Sequence, residues 1–362
     1  MTQEQYPSWL CLKTAPELPL KACLELLSIY PKPEEYVGVS NHPVYHSGLL
    51  KAKTAEHLKE GMLPRNMPQI QQLLRHHEIK CLSYYEYPEK LREIFAPPLL
   101  LYIRGDLKPI LQQKCLAVVG TRKPSAYGRE MCRKLLAPLC ERQVSIISGL
   151  ALGIDTVAHS AALQKGALTL GVLASGVDII YPAQNLELAR KIIGSGALIS
   201  EFEPGAKPDR WNFPARNRII SALADAVFIV EGPLSSGALL TAKNAIEQNR
   251  DICALPGNIN SVNAEGPNHL LKNGAALISQ AEDLMHLLDI DFEEDGQLEI
   301  KALLSEDEQK LCDLLKVEQR PLSFDEILVK TAFPIGRLST VLTNLELKGL
   351  IAKEGGNTFI LI

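Results

Sequence analysis

The chain has 362 residues, 46% hydrophobic and 22% charged, enough for one large core with one or two small satellites. Its 38 Lys and Arg stand against 42 Asp and Glu, a formal net charge of −4, so affinity for a polyanion has to come from a local patch rather than from the whole chain. The eight cysteines form no C-x-x-C pair, which argues against a zinc site or disulfide framework, and no run of about 18 apolar residues or basic-then-apolar leader argues for a membrane or for export.

Several of those cysteines sit in apolar runs such as Cys115-Leu-Ala-Val-Val, as reduced core thiols of a cytoplasmic protein do. Residues 1–95 are rich in helix formers, with Ala22-Cys-Leu-Glu-Leu-Leu and Ile70-Gln-Gln-Leu-Leu at helical spacing and prolines at 31, 33, 43, 64 and 68. A small helical, SAM-like domain is expected there. His76 and His77 are adjacent, face different sides of a helix and cannot make a metal pair.

From 96 to 288 short apolar runs alternate with amphipathic segments. Leu116-Ala-Val-Val, Val144-Ser-Ile-Ile, Thr169-Leu-Gly-Val-Leu, Ala197-Leu-Ile-Ser, Ala226-Val-Phe-Ile-Val and Asp251-Ile-Cys-Ala-Leu recur at strand-plus-crossover spacing, which predicts a doubly wound α/β domain with a mostly parallel sheet. Residues 289–302 are strongly acidic, with Asp289, Asp291, Glu293, Glu294, Asp295 and Glu299, and read as a linker. Residues 303–362 read as three helices followed by a two-strand ribbon turning at Gly355-Gly356, a winged-helix module. Its third helix offers few cations, Arg337 and Lys348, so contact with DNA and contact with protein alone both stay open.

Ligands of a doubly wound sheet lie beyond the carboxyl ends of the strands, and four loops are unusual there. In Val119-Gly120-Thr121-Arg122-Lys-Pro-Ser-Ala-Tyr-Gly the arginine occupies the second glycine position of a dinucleotide fingerprint, which weakens a nicotinamide reading and leaves a basic side chain at a helix entrance. Ser148-Gly149-Leu150-Ala151-Leu152-Gly153-Ile-Asp155 has glycines for a tight backbone, with Asp155 placed to cap the following helix and His159 one turn later as a packing or polar-network residue. Lys207, Arg210, Trp211, Phe213, Arg216, Asn217 and Arg218 bring four cations and two aromatics together. They read either as phosphate clamps beside a base platform or as a solvated basic turn with the aromatics packed inward. Glu231-Gly-Pro-Leu-Ser235-Ser236-Gly237 opens a helix whose amides and dipole suit an anion.

Taken in order, GTRKPSAYG, SGLALGIDTVAH, FPARNRIISAL, SSGALLTA, ALPGNIN and AEGPNHLLKNGA closely resemble the DNA processing protein A family, called DprA or Smf, over residues 80–288. The resemblance implies a Rossmann-like, homodimeric protein of the bacterial cytoplasm that binds incoming single-stranded DNA in natural transformation, protects it and helps load the RecA recombinase, with no cofactor, metal or catalytic residue. It also implies a DNA pocket of Gly120, Thr121, Arg122, the Ser148–Gly153 loop, Phe213, Arg216, Asn217, Arg218, Ser236 and Gly237. Two departures are Leu152, where many members have Arg, and Glu265, where the position is often neutral or basic. Rival readings are a nucleotide-binding, phosphoribohydrolase-like α/β enzyme and a winged-helix regulator of duplex DNA. The first lacks a G-x-G-x-x-G, a Walker lysine, clustered metal ligands and a nucleophile elbow, and the second has a thinly basic reading helix.

Overall fold

A computed structural model describes residues 1–2, 4–290, 304–318, 320–348, 350–354 and 358–361. All of the acidic segment but Asp289 and Ile290 lies outside them. The described chain forms two compact units, one ending at Asp291 and one beginning at Phe292.

The first unit opens with helices α1 (Tyr6–Thr14), α2 (Leu20–Ile29), α3 (Ala52–Lys59) and α4 (Met67–His76). Strands β1 (Lys80–Ser83) and β2 (Leu100–Gly105) follow, with short helices α5 (Glu89–Arg92) and α6 (Lys108–Leu111) after them. The winding then runs β3 (Cys115–Val119), α7 (Ala126–Glu141), β4 (Ser145–Ser148), α8 (Ile154–Gln164), β5 (Thr169–Val172), α9 (Leu186–Ser195) and β6 (Ala197–Ser200). It continues through α10 (Asn212–Leu223), β7 (Ala226–Ile229), α11 (Gly237–Glu247), β8 (Asp251–Ala254), α12 (Glu265–Lys272), β9 (Ala276–Leu277) and α13 (Ala281–Leu287).

These strands make one nine-stranded sheet in the order β1-β2-β6-β5-β4-β3-β7-β8-β9. Pairs from β6 through β9 are parallel, while β1/β2 and β2/β6 are antiparallel. From β3 the chain winds outward to β6, then returns to lay β7 beside β3, so the winding direction reverses between β3 and β7. In an α/β sheet that switch point leaves a crevice, because the two loops leave their strands toward opposite faces.

Strand period sorts the core. Leu116 and Val118 face the layer of α7, α8 and α13, whereas Cys115, Ala117 and Val119 face that of α10, α11 and α12. Both faces are covered, which is why these strands read as unbroken apolar runs. The same alternation in β2 ties the helical segment to the sheet: Leu101 and Ile103 join the main core, while Leu100 and Tyr102 pack with Trp9, Leu10, Leu26, Tyr36, Leu58 and Ile70. Strand β1 falls inside the segment expected to be helical, because at the edge of the sheet its Lys80-Cys-Leu-Ser is only partly buried and shows no unbroken apolar run.

The second unit consists of α14 (Glu306–Glu318), β10 (Leu322–Ser323), α15 (Phe324–Thr331), α16 (Ile335–Leu347), β11 (Ile351–Glu354) and β12 (Thr358–Leu361), a winged helix with a three-stranded sheet ordered β10-β12-β11. Leu311, Leu315, Ile327, Leu338, Leu342 and Phe359 build its core. A capping box starts α15, Ser323 accepting from Glu326 N while the Glu326 carboxylate accepts from Ser323 N.

Candidate nucleic-acid interface

The loops that leave β3, β4 and β7 and the start of α10 meet at the switch point around a crevice of about 540 Å³. Gly120, Thr121, Arg122, Ala151, Phe213, Arg216, Asn217, Ser236 and Gly237 line it, nine of the residues expected from the sequence. A small side pocket of about 50 Å³ is shared by Arg122, Ala151, Phe213 and Arg216 and adds Gly149 and Tyr181.

Arg122 stands exposed one turn past β3 with its guanidinium 5.2 Å from the centre of the Phe213 ring. That stack holds the planar fork on an aromatic face while leaving its edge for an anion. Tyr181, 47% exposed, meets Phe213 edge to face at 6.0 Å, so two aromatic rings and a cation form one wall. Across the crevice α11 begins, capped by Ser236, whose Oγ accepts from Ala238 N at 3.2 Å. Its first-turn amides and dipole supply the positive end of a helix. The charged lining residues are Arg122, Lys123 and Arg216 against Asp155, so the crevice is positive in a chain that is negative overall.

Two of the loops are closed by carboxylates. Glu231 is buried and its carboxylate accepts from Ser125 N at 2.8 Å and Ser125 Oγ at 2.6 Å, at the start of α7. A dinucleotide pyrophosphate would need that helix start, and a fixed carboxylate already fills it. Asp155 is not the N-cap of α8, a place held by Gly153; its carboxylate reaches back to accept from Gly149 N at 3.1 Å and Ala151 N at 3.2 Å. The second loop is thereby a rigid brace, with two of its amides spent internally. Gly153 takes φ +87, and any side chain there would strike the Thr121 carbonyl. Leu150 also takes a left-handed φ of 57, its side chain buried beside Leu173, Ala189, Ile192 and Leu198 rather than in the crevice.

Arg216 is 5% exposed and lies in the wall of both cavities. Its Nη1 donates to Gly149 O at 2.6 Å and to Val172 O, and its Nε donates to Asn217 Oδ1 at 3.1 Å. Gly149 has to be glycine because a Cβ would come within 2.6 Å of that guanidinium. Burial pulls the Arg216 pKa down to about 10, against the opposing pull of Asp155, so it stays charged at neutral pH. Asn217 donates to Gly237 O at 3.2 Å and links α10 to the start of α11.

Other residues expected at the site lie elsewhere. Arg218, one position on, turns to the far side of α10 and pairs with Glu201, both side chains 17% exposed. Ser148 is buried and donates to Val118 O at 2.6 Å. Lys207, Arg210 and Ser235 are exposed and do not line either cavity, Arg210 lying over Trp211 at 4.8 Å. Sequence reasoning passed over Tyr181, Asn263 and Thr241. The Tyr181 loop follows β5 and so obeys the same strand-end rule, but it carries no cation to draw attention. In the winged helix, Arg337 pairs with Asp307 at 2.5 Å and Lys348 with Glu308 at 2.8 Å, so both cations associated with its third helix face acids of α14.

A family described as DNA recombination-mediator protein A matches residues 78–289, and the DprA winged helix domain matches residues 299–357. DNA processing protein DprA of Bacillus subtilis is 38% identical over 241 residues, 66% of this chain and 81% of the relative. Protein Smf of Escherichia coli is 38% identical over 287 residues, 78% of this chain and 76% of the relative. Among solved structures, DNA processing protein A from Streptococcus pneumoniae superposes with a TM-score of 0.68 at 30% identity, over 81% of this chain and 99% of that one. DNA processing protein A from Helicobacter pylori, a structure concerned with its single-stranded DNA binding mode, gives 0.55 at 31% identity, over 60% and 99%. The loops that build the crevice fall inside the first matched span, and the chain belongs to the DNA recombination-mediator protein A family, the DprA/Smf proteins of DNA processing.

Proposed function

We propose that this chain binds single-stranded DNA along the switch-point crevice and holds the strand without cutting it. Arg122 and the start of α11 take phosphates, and Phe213 with Tyr181 takes bases. One observation carries the reading: an exposed arginine stacked on an aromatic ring faces a helix N-terminus across an open, net positive crevice. A single strand offers a backbone and free base faces at that spacing, whereas a duplex hides its base faces. The relative from Helicobacter pylori binds single-stranded DNA, which supports the same use here. Lys207, Arg210 and Ser235, exposed beside the crevice, extend the track for the backbone, and Arg218 and Ser148 serve by bracing the elements that bear it.

Family membership supports the wider role as well: a cytoplasmic homodimer that protects incoming strands during natural transformation and helps load the RecA recombinase. The glutamate fixed at the start of α7 counts against a dinucleotide enzyme on the same fold.

Equilibrium competition tests the reading. A fluorescent homothymidine strand bound to the full chain should be displaced by an unlabelled single strand, and far less by the same sequence as a duplex or by a mononucleotide. Equal displacement by duplex points to the winged helix as the reader, and displacement by mononucleotide alone points to the enzyme.

A further inference from the structure

Behind the aromatic wall lies a set of contacts that binding itself does not use. The Tyr181 loop, between β5 and α9, and the 201–211 loop, between β6 and α10, are joined edge to edge. Gly176 N donates to Ala206 O at 2.8 Å, Gly205 N donates to the Asp178 carboxylate at 3.0 Å, and Asn212 Nδ2 donates to Ala174 O at 3.1 Å. A Cβ on Gly176 would come within 2.6 Å of Glu203 O, so the approach requires glycine there. Tyr181 sits on the first of these loops, and Phe213 directly follows the second, in the first turn of α10.

Three side chains tie the pair to the helical segment. Lys13 at the end of α1 donates through Nζ to Glu201 O and to Glu203 Oε1, both at 3.0 Å, and stands 5.7 Å from the Tyr102 ring centre. Val177, fully buried, belongs to the core of the helical segment rather than to that of the sheet. Leu73 on α4 comes within 3.4 Å of the position a Cβ would take on Gly205, which holds φ +86. The Lys13–Glu203 pair is about one quarter exposed on each side, and a lysine tied to both a carbonyl and a carboxylate fixes a loop more tightly than a surface pair does.

We infer that the N-terminal helical segment is a positioning element of the crevice: through Lys13, Val177 and Leu73 it fixes the loop that bears Tyr181 and the loop that leads into Phe213, the two aromatics that receive the bases. This deepens the single-strand reading and rests on it. Loss of the clamp leaves the phosphate contacts in place but lets Phe213 and Tyr181 drift apart, so the strand is held by charge with its bases poorly stacked.

The test is anisotropy of a labelled homothymidine strand with the full chain, at several salt concentrations, for Lys13→Ala, Glu203→Gln, Lys13→Arg, Phe213→Ala and the double variant Lys13→Ala/Phe213→Ala, with thermal melting alongside. Lys13→Ala and Glu203→Gln should each bind about three- to tenfold more weakly, the range expected for residues that act through others. Lys13→Arg should restore most of the affinity. The salt slope should stay at the wild-type value, whereas loss of a direct phosphate contact would lower it by about 0.7. In the double variant the loss of Lys13 should cost almost nothing further, because the ring it positions has gone. Glu203→Gln leaves Lys13 intact, so it still reads the clamp if Lys13→Ala folds poorly. Wild-type affinity in Lys13→Ala and Glu203→Gln, a fallen salt slope, or additive losses in the double variant would overturn the inference while leaving the single-strand reading intact. If Phe213→Ala binds as the wild type does, the reading itself fails and the inference goes with it.

Discussion

At the scale of single residues, the same amino-acid type takes opposite roles according to what surrounds it. Arg122 is exposed and stacked, Arg216 is spent on two carbonyl oxygens and Arg218 on a carboxylate. His159 makes a sharper prediction. It is fully buried, and the Thr169 hydroxyl donates to Ile146 O at 2.8 Å, so at 2.7 Å the His159 Nδ1–H donates to that hydroxyl oxygen and Nε2 is left with no partner. Burial, helped by the positive charge of Arg216, holds its pKa down to about 3. The unfolded chain takes up a proton near pH 6.5 and the folded chain does not, so the stability from a neutral His159 is full above about pH 6.5 and is lost as pH falls toward 3. Between pH 7 and pH 5 this amounts to about 2 kcal/mol. Denaturant melts at the two pH values should show the wild type losing that much more than His159→Gln; parallel losses in the two proteins would contradict it.

At the scale of elements, what was legible followed from how completely an element is buried. Strands β3 to β8 are covered by helices on both faces or nearly so, hence their apolar runs and their visibility in sequence. Strands β1 and β9 sit at the two edges of the sheet and are only partly buried, so they carry too little apolar pattern to be seen. The glycine-rich loops and the basic run were visible because strand ends are few. Which of their cations point into the crevice was not, since Arg216 is fixed by carbonyls 67 and 44 residues away and Arg218 by a carboxylate 17 residues away. Tyr181 was invisible for the same reason, its partner Phe213 being brought to it only by the fold. We propose the division 1–95, 96–288, 289–302 and 303–362 on composition, with β1 as an outlying strand of the second part. Limited digestion with a protease of broad specificity should cut first within 289–302 and release two resistant fragments. A first cut inside 115–285 would show that the boundary is misplaced.

At the scale of the whole molecule, the proposed function requires a chain of net charge −4 to be held to a polyanion by placement alone. The homodimer proposed above doubles the number of crevices a strand can engage, which raises avidity without any new contact. Light scattering during gel filtration should give twice the chain mass, and a strictly monomeric chain at high micromolar concentration would remove the dimer from the account. Strand binding in the crevice rests most heavily on Arg122. Removing a charge-assisted fork of this kind costs about 1.5–3 kcal/mol, roughly a ten- to hundredfold loss of affinity. The decisive measurement is anisotropy of a labelled homothymidine strand against wild type, Arg122→Ala and Arg122→Lys across salt concentrations, with melting temperatures as the folding control. An Arg122→Ala chain should melt normally, bind at least about tenfold more weakly and lose about 0.7 from the salt slope, with lysine restoring only part of the affinity. An Arg122→Ala chain that melts normally and keeps both affinity and slope would contradict it.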